Sequence, residues 1–67
     1  MRMAEFANAL AEGCVEFGMG QDERWTLANY VATSLQPYSN GHRNGFLKAF
    51  VNRDNELSAV AAEAQDG

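Results

Sequence analysis

The sequence predicts a small all-α protein, a bundle of three or four helices joined by short connections. Apolar residues recur every three or four positions in four stretches of the chain, which is the spacing of amphipathic helices. Nowhere does the strict apolar and polar alternation of a strand persist. With 67 residues the chain forms one domain, near the lower size limit for a fold without disulfides or a metal. We place the helices at roughly 3–17, 22–35, 41–52 and 55–64.

The first predicted helix has an apolar stripe with three glutamates on its opposite side, and we expect its phenylalanines in the core. It ends at the glycines of residues 18–20, because glycine is the usual residue just past a helix C-terminus. The stripe consists of Met3, Phe6, Leu10, Cys14 and Phe17, and the glutamates are Glu5, Glu12 and Glu16.

The second predicted helix begins near residues 21–23, where Asp22 can act as the N-cap and acidic side chains complement the helix dipole. Pro37 ends it, since proline disfavours helical geometry at the residue before it. Its apolar stripe consists of Leu27, Ala28, Val31 and Leu35.

The third predicted helix follows a turn-rich loop at residues 37–41. Its apolar face is strong and contains Phe46, Leu47, Phe50 and Val51. Helical preference drops around residues 52–55, where Asp54 can cap a fourth helix. The apolar residues of that fourth segment are Leu57, Val60, Ala61 and Ala64. The sequence leaves open whether the third and fourth helices are continuous.

Charge is segregated along the chain, although the net charge is only −4. Residues 1–23 hold one basic and five acidic residues, and residues 54–67 hold four acidic residues and no basic one. Residues 24–53 hold four basic residues and no carboxylate. One interpretation is that this basic block pairs with its acidic neighbours inside the fold. The other is that it presents a positive face to a partner.

Residue types that support catalysis are scarce. Cys14 is the only cysteine and His42 the only histidine, so one chain can form neither a disulfide nor a Cys/His zinc site. The sequence has no phosphate-binding glycine loop and no nucleophile motif. A chain this short also hardly encloses a substrate pocket. We therefore expect a protein that is not an enzyme and that carries no cofactor and no metal.

Hydropathy, the single thiol and the small size of the chain predict its location and assembly. No apolar run approaches the roughly 18 residues of a membrane span, and the N-terminal residues lack a signal-peptide core. The lone thiol fits a reducing compartment, so we expect a cytoplasmic protein that does not enter a membrane. Self-association is the remaining way to stabilise so small a fold, which leaves a homodimer and a monomer equally open.

Aromatic residues at the edges of the second helix predict where a partner binds. Trp25 and Tyr30 flank its apolar stripe, and Tyr38 lies in the following loop. Tryptophan, tyrosine and arginine dominate binding hot spots, whereas packing at the edge of the core is the competing interpretation. Together with the basic block they predict a binding surface made of Arg24, Trp25, Tyr30, Tyr38, His42, Arg43, Lys48 and Arg53.

These patterns predict a non-catalytic module that binds another protein, as an adaptor, an inhibitor or a regulatory subunit. Small chains of this kind are often encoded by phages or plasmids, which extends the hypothesis to the source of this one. The alternative is a dimeric, helix-turn-helix-like nucleic-acid-binding regulator that uses residues 41–53. A turn longer than usual and the acidic net charge argue against it. A third hypothesis is an acidic mimic that presents the glutamates of the first helix to a nucleic-acid-binding enzyme.

Overall fold

Three helices make up the fold in a computed structural model, which describes residues 2–35 and 40–65, with side chains for 2–35 and 41–61. They are α1 (Met3–Glu16), α2 (Gln21–Ser34) and α3 (Asn40–Gln65). No strand occurs in the described residues. The predicted all-α class and the small helical bundle are therefore confirmed.

The molecule is elongated, with extents of 45 × 18 × 16 Å. α1 runs parallel to α3, because the ring of Phe6 packs on that of Phe46 at a centroid distance of 5.4 Å, tilted by 39°, and Glu12 accepts hydrogen bonds from Arg53 further along both helices. α2 runs in the opposite direction, since Arg24 in its first turn bonds to Asp54 while Ala28 in its middle lies beside Leu47 and Phe50.

The core is built from small residues on two helices and large ones on the third. Phe46 and Phe50 of α3 are completely buried, with their rings 6.5 Å apart. The α1 and α2 positions that pack against them are mostly alanines, which let the helices approach closely. The buried apolar residues are Ala7, Ala11, Cys14, Ala28, Ala32, Phe46 and Phe50.

One expected core residue is wrong. Phe17 is 87% exposed, because α1 ends at Glu16 and Phe17 is its C-cap, outside the helical stripe that packs on α3. The stripe itself is also rotated: its fully buried positions are Ala7 and Ala11, while Phe6 and Leu10 lie partly buried beside them.

The turn between α1 and α2 is a glycine-dependent helix stop. Gly18 adopts a φ of +74°, and its N–H donates to the carbonyl of Val15 while the N–H of Met19 donates to that of Cys14. This pair of bonds is the Schellman motif, which favours glycine at the residue with positive φ. The first helix was predicted to end at residue 17 and ends at Glu16, one residue earlier, and a glycine ends it as predicted.

Two predicted N-caps are wrong. α2 begins at Gln21 with Gly20 as its cap residue, and no side chain caps it, so Asp22 lies within the first turn. α3 is one continuous helix, and Asp54 lies in its interior. The third and fourth segments, whose continuity the sequence leaves open, thus form one helix, and the Asp54 carboxylate bonds to Arg24 and Trp25 of α2 instead of capping a new helix start.

The C-terminal part of α3 is exposed where its side chains are described. Leu57 packs against the core, residues 58–61 are exposed, and the helix continues to Gln65. Alanine is frequent in residues 58–65 and is the strongest helix former, which favours a helix there. Among the described residues, none of the helices has the length and hydropathy needed to cross a membrane.

Candidate functional site

A buried polar cluster joins the start of α2 to the middle of α3. The Asp54 side chain is fully buried and accepts hydrogen bonds from Arg24 Nε at 2.5 Å and from Trp25 Nε1 at 2.9 Å. Arg24 Nη1 also donates to the carbonyl oxygen of Met19 at 2.6 Å, which ties the α1–α2 turn to the same cluster. The Arg24 side chain is 11% exposed. Arg24 and the indole N–H of Trp25 therefore both form their hydrogen bonds inside the bundle.

Arg53 is bound to acidic side chains from both flanks of the basic block. Its guanidinium donates to Glu12 of α1 at 2.7 Å and to Glu56 at 2.9 Å. These hydrogen bonds raise the pKa of Arg53 above its ordinary value. Two of the four basic residues in the block are thus neutralised within the fold, Arg24 by Asp54 and Arg53 by its two glutamates. For these two the internal-pairing interpretation of the charge pattern holds.

The other predicted surface residues are dispersed. Lys48 is exposed and Arg43 half-buried on α3, and neither makes an ion pair with any residue that the structure describes. His42 is exposed beside Met3 of α1 in a depression of about 300 Å³. Tyr38 lies outside the described residues. The structure brings Arg24 and Trp25 together, but around a buried carboxylate and not on an open face.

An apolar and aromatic face of α2 is open to solvent. Tyr30 is 71% exposed, and with Leu27 and Thr26 it lines a shallow depression of about 440 Å³. Asp22 and Glu23 form the N-terminal rim of this depression. We call these five residues the α2 face. Its members other than Tyr30 were missed from the sequence, although Glu23, Leu27 and Tyr30 have the i, i+4, i+7 spacing of one helix side.

A second open surface lies on α3 and is polar. Asn44, Lys48, Asn52 and Asn55 are all exposed and recur every three or four residues. They form one continuous side of the helix that carries three amides and one cation. Amide and amine groups of this kind can donate to phosphates or to base edges.

The chemistry available to these groups is limited. Within the described residues no three His, Cys, Asp or Glu side chains cluster as a metal site would require. Cys14 is 3% exposed, and burial raises the pKa of its thiol, which disfavours the reactive thiolate. A smaller groove of about 160 Å³ between α2 and α3 is lined mainly by apolar residues, including Trp25 and Phe50.

Comparisons with protein-family models, with curated proteins and with solved structures find no match to this chain. The molecule is defined at the level of its fold, as a small three-helix bundle. Its function has to be argued from the two open surfaces.

Proposed function

We propose that this protein is a non-catalytic module that binds another protein through the α2 face. The observation that supports this most directly is the exposure of Tyr30, 71% of whose surface is open beside the apolar side chain of Leu27. Phe46 and Phe50 are completely buried, so the fold has the means to hide aromatic rings. An aromatic residue left open over a concave apolar surface is typical of a hot spot in an interface.

The proposed surface differs from the one that the sequence predicted. Tyr30 remains the centre of the surface. Arg24 and Arg53 are no longer part of it, because their guanidinium groups bond to carboxylates of this chain. An adaptor, an inhibitor or a regulatory subunit would each use such a face. A cytoplasmic location remains part of the proposal, supported by the free and buried thiol of Cys14.

Site-specific photo-crosslinking in the native host tests this proposal. A photoreactive phenylalanine analogue replaces Tyr30 in one variant and the exposed Asn55 of α3 in a matched control. We expect a discrete protein adduct from position 30 that is absent from position 55. Equal adducts from both positions, or none from position 30, would refute the α2 face as the binding surface.

Nucleic-acid binding is the second candidate, supported by the polar side of α3. From Asn44 to Asn52 its exposed positions carry amides and Lys48, without an exposed carboxylate. The arrangement departs from a helix-turn-helix, because five residues separate the end of α2 at Ser34 from the start of α3 at Asn40, more than the usual three- or four-residue turn. Arg53 also bonds to Glu12 and Glu56, which reduces the cations available to phosphates.

A gel-shift experiment at low salt tests this candidate. Typical non-specific binding is no weaker than about 100 μM, so retardation of a DNA or RNA duplex at that protein concentration is the expected result if the polar side of α3 binds phosphates. Lys48→Glu should then abolish the shift, while Glu5→Gln should not. No retardation at about 100 μM excludes the candidate.

A further inference from the structure

We infer that the partner segment on the α2 face is a cationic amphipathic helix, an inference that rests on the proposed protein-binding function. The geometry of the face sets the shape of its occupant. From Asp22 to Tyr30 the face spans about 12 Å along the axis, the length of roughly two helical turns. The described residues contain no strand whose edge an extended peptide could join, so strand addition is unavailable. A helix lying in the depression, with apolar side chains against Leu27 and Tyr30, is the recognition mode that fits the length and lining of the face.

The charge of the occupant follows from the rim. Asp22 and Glu23 are exposed and make no ion pair within the described part of the chain. The dipole of α2 places only about half a positive charge at this end, which two carboxylates outweigh. Glu16 is exposed at the same end of the bundle, where α1 meets α2.

Internal pairing strengthens this acidic character. Arg24 and Arg53 are the basic residues at the same level of the bundle, and both are bound to carboxylates of the chain. Neither can neutralise Asp22 or Glu23. The potential beside Leu27 and Tyr30 is therefore negative, which attracts a cationic segment and repels a phosphate backbone.

The two properties combine into one ligand. Apolar side chains spaced by three or four residues would pack on Leu27 and Tyr30, and a lysine or arginine about one turn away would meet the rim carboxylates. A second copy of this chain fits less well. Its cations Arg43 and Lys48, which make no ion pair with described residues, lie on α3 without an exposed apolar stripe between them.

A designed peptide tests the inference directly. The probe is a 14-residue helical peptide of leucine and lysine with leucines at i, i+3 and i+4 spacing, added to isotope-labelled protein and followed by amide chemical shifts. We expect binding with shift changes concentrated in residues 22–34. The control peptides keep the leucines with glutamate in place of lysine, or keep the lysines without an apolar stripe.

Variants separate the two contributions of the α2 face. Removing both rim charges, as Asp22→Asn with Glu23→Gln, should weaken the Leu/Lys peptide about fivefold at low salt and reduce its salt dependence. Tyr30→Ala should weaken it about fivefold or more. Glu5→Gln removes an equally exposed acid from the opposite end of the bundle and should leave the affinity unchanged. Because all these side chains are exposed, the far-ultraviolet circular dichroism of each variant should match the parent.

Failure of this inference is distinguishable from failure of the proposed function. If the Leu/Glu peptide binds residues 22–34 as tightly as the Leu/Lys peptide, the face is a docking site but the cationic partner is wrong. If no peptide binds at concentrations up to about 1 mM, where even weak specific binding is detectable, the inference fails. The crosslinking result then still decides the proposed function. If the labelled protein alone dimerises through residues 22–34, the occupant is a second copy and the inference is overturned.

Discussion

Replacing Arg24 by methionine should cost this protein much of its stability. The substitution keeps a long apolar stem but removes the guanidinium that pairs with Asp54. The Asp54 carboxylate is fully buried, so after the substitution water cannot solvate it without local opening of the α2–α3 contact. Trp25 Nε1 remains as a single neutral donor.

The magnitude follows from the burial of the two partners. Removing one member of a buried ion pair typically destabilises a protein by about 3–5 kcal/mol, because the other charge stays buried without compensation. The lost bond from Arg24 to the Met19 carbonyl adds to this. A domain of this length has a total stability of roughly 3–10 kcal/mol. We therefore expect Arg24→Met to lower the urea midpoint severely or to leave the chain largely unfolded.

A double substitution at Arg24 and Asp54 should restore the stability that the single substitution at Arg24 removes. Arg24→Met combined with Asp54→Leu removes both charges and should recover most or all of the lost stability, since apolar replacements of buried pairs are often neutral or stabilising. Trp25 can then donate its indole N–H to water, because it is 39% exposed. Circular dichroism at 222 nm during urea unfolding measures all variants, and it avoids the change in Trp25 fluorescence that any Asp54 variant would cause.

The matched control is Arg53→Met, which removes two ion pairs between an arginine and glutamates at the surface. Its loss of stability should be clearly smaller than that of Arg24→Met, because water replaces its partners. Equal effects of the two substitutions, or a double variant that is no more stable than Arg24→Met, would show that the cluster is not an energetically coupled, buried pair.

Three further expectations concern packing, backbone and the thiol. Phe46→Ala should destabilise by about 3–5 kcal/mol in thermal unfolding, whereas Phe17→Ala should change stability by no more than about 0.5 kcal/mol; similar values would contradict the assigned core. Gly13→Ala should stabilise the protein by up to about 1 kcal/mol, since the added Cβ meets no atom within 4 Å. Gly18→Ala should destabilise it by about 1 kcal/mol because Gly18 has a positive φ. Stability changes of the same sign at both positions would refute the assigned backbone conformations. Cys14 should react with a thiol reagent only as fast as the protein opens, and fast labelling of the native protein would contradict its burial. Because folding raises the pKa of the Cys14 thiol, the free energy of unfolding should fall as the pH rises past 9.0, where the unfolded thiol loses its proton.

The helices could be predicted from periodicity because each one has a buried side. Their ends could be predicted where local chemistry decides them, as at Gly18, and not where a distant contact does. Asp54 shows the difference: its low helix propensity suggests a cap, but its partners Arg24 and Trp25 are about thirty residues away. No local pattern reveals that a carboxylate is needed there.

The binding surface was predictable only in part for the same reason. The acid-free block has Arg24 and Arg53 at its two ends, and both bind acids that lie outside the block in sequence. Tyr30 was identified because it departs from the apolar stripe of its own helix. Leu27 belongs to the apolar stripe that the sequence predicts for α2, and its partial exposure was not predictable, since a partly covered leucine and a buried one have the same spacing in sequence.

The division of the core between small and large residues also bears on how the chain folds during synthesis. Alanines and one thiol are all that α1 and α2 contribute to the fully buried apolar positions, and both phenylalanines and the carboxylate that binds Arg24 belong to α3. A nascent chain that ends before Phe46 has no interior to form. The first two helices must therefore wait for the third, and cooperative folding begins only when α3 has been synthesised.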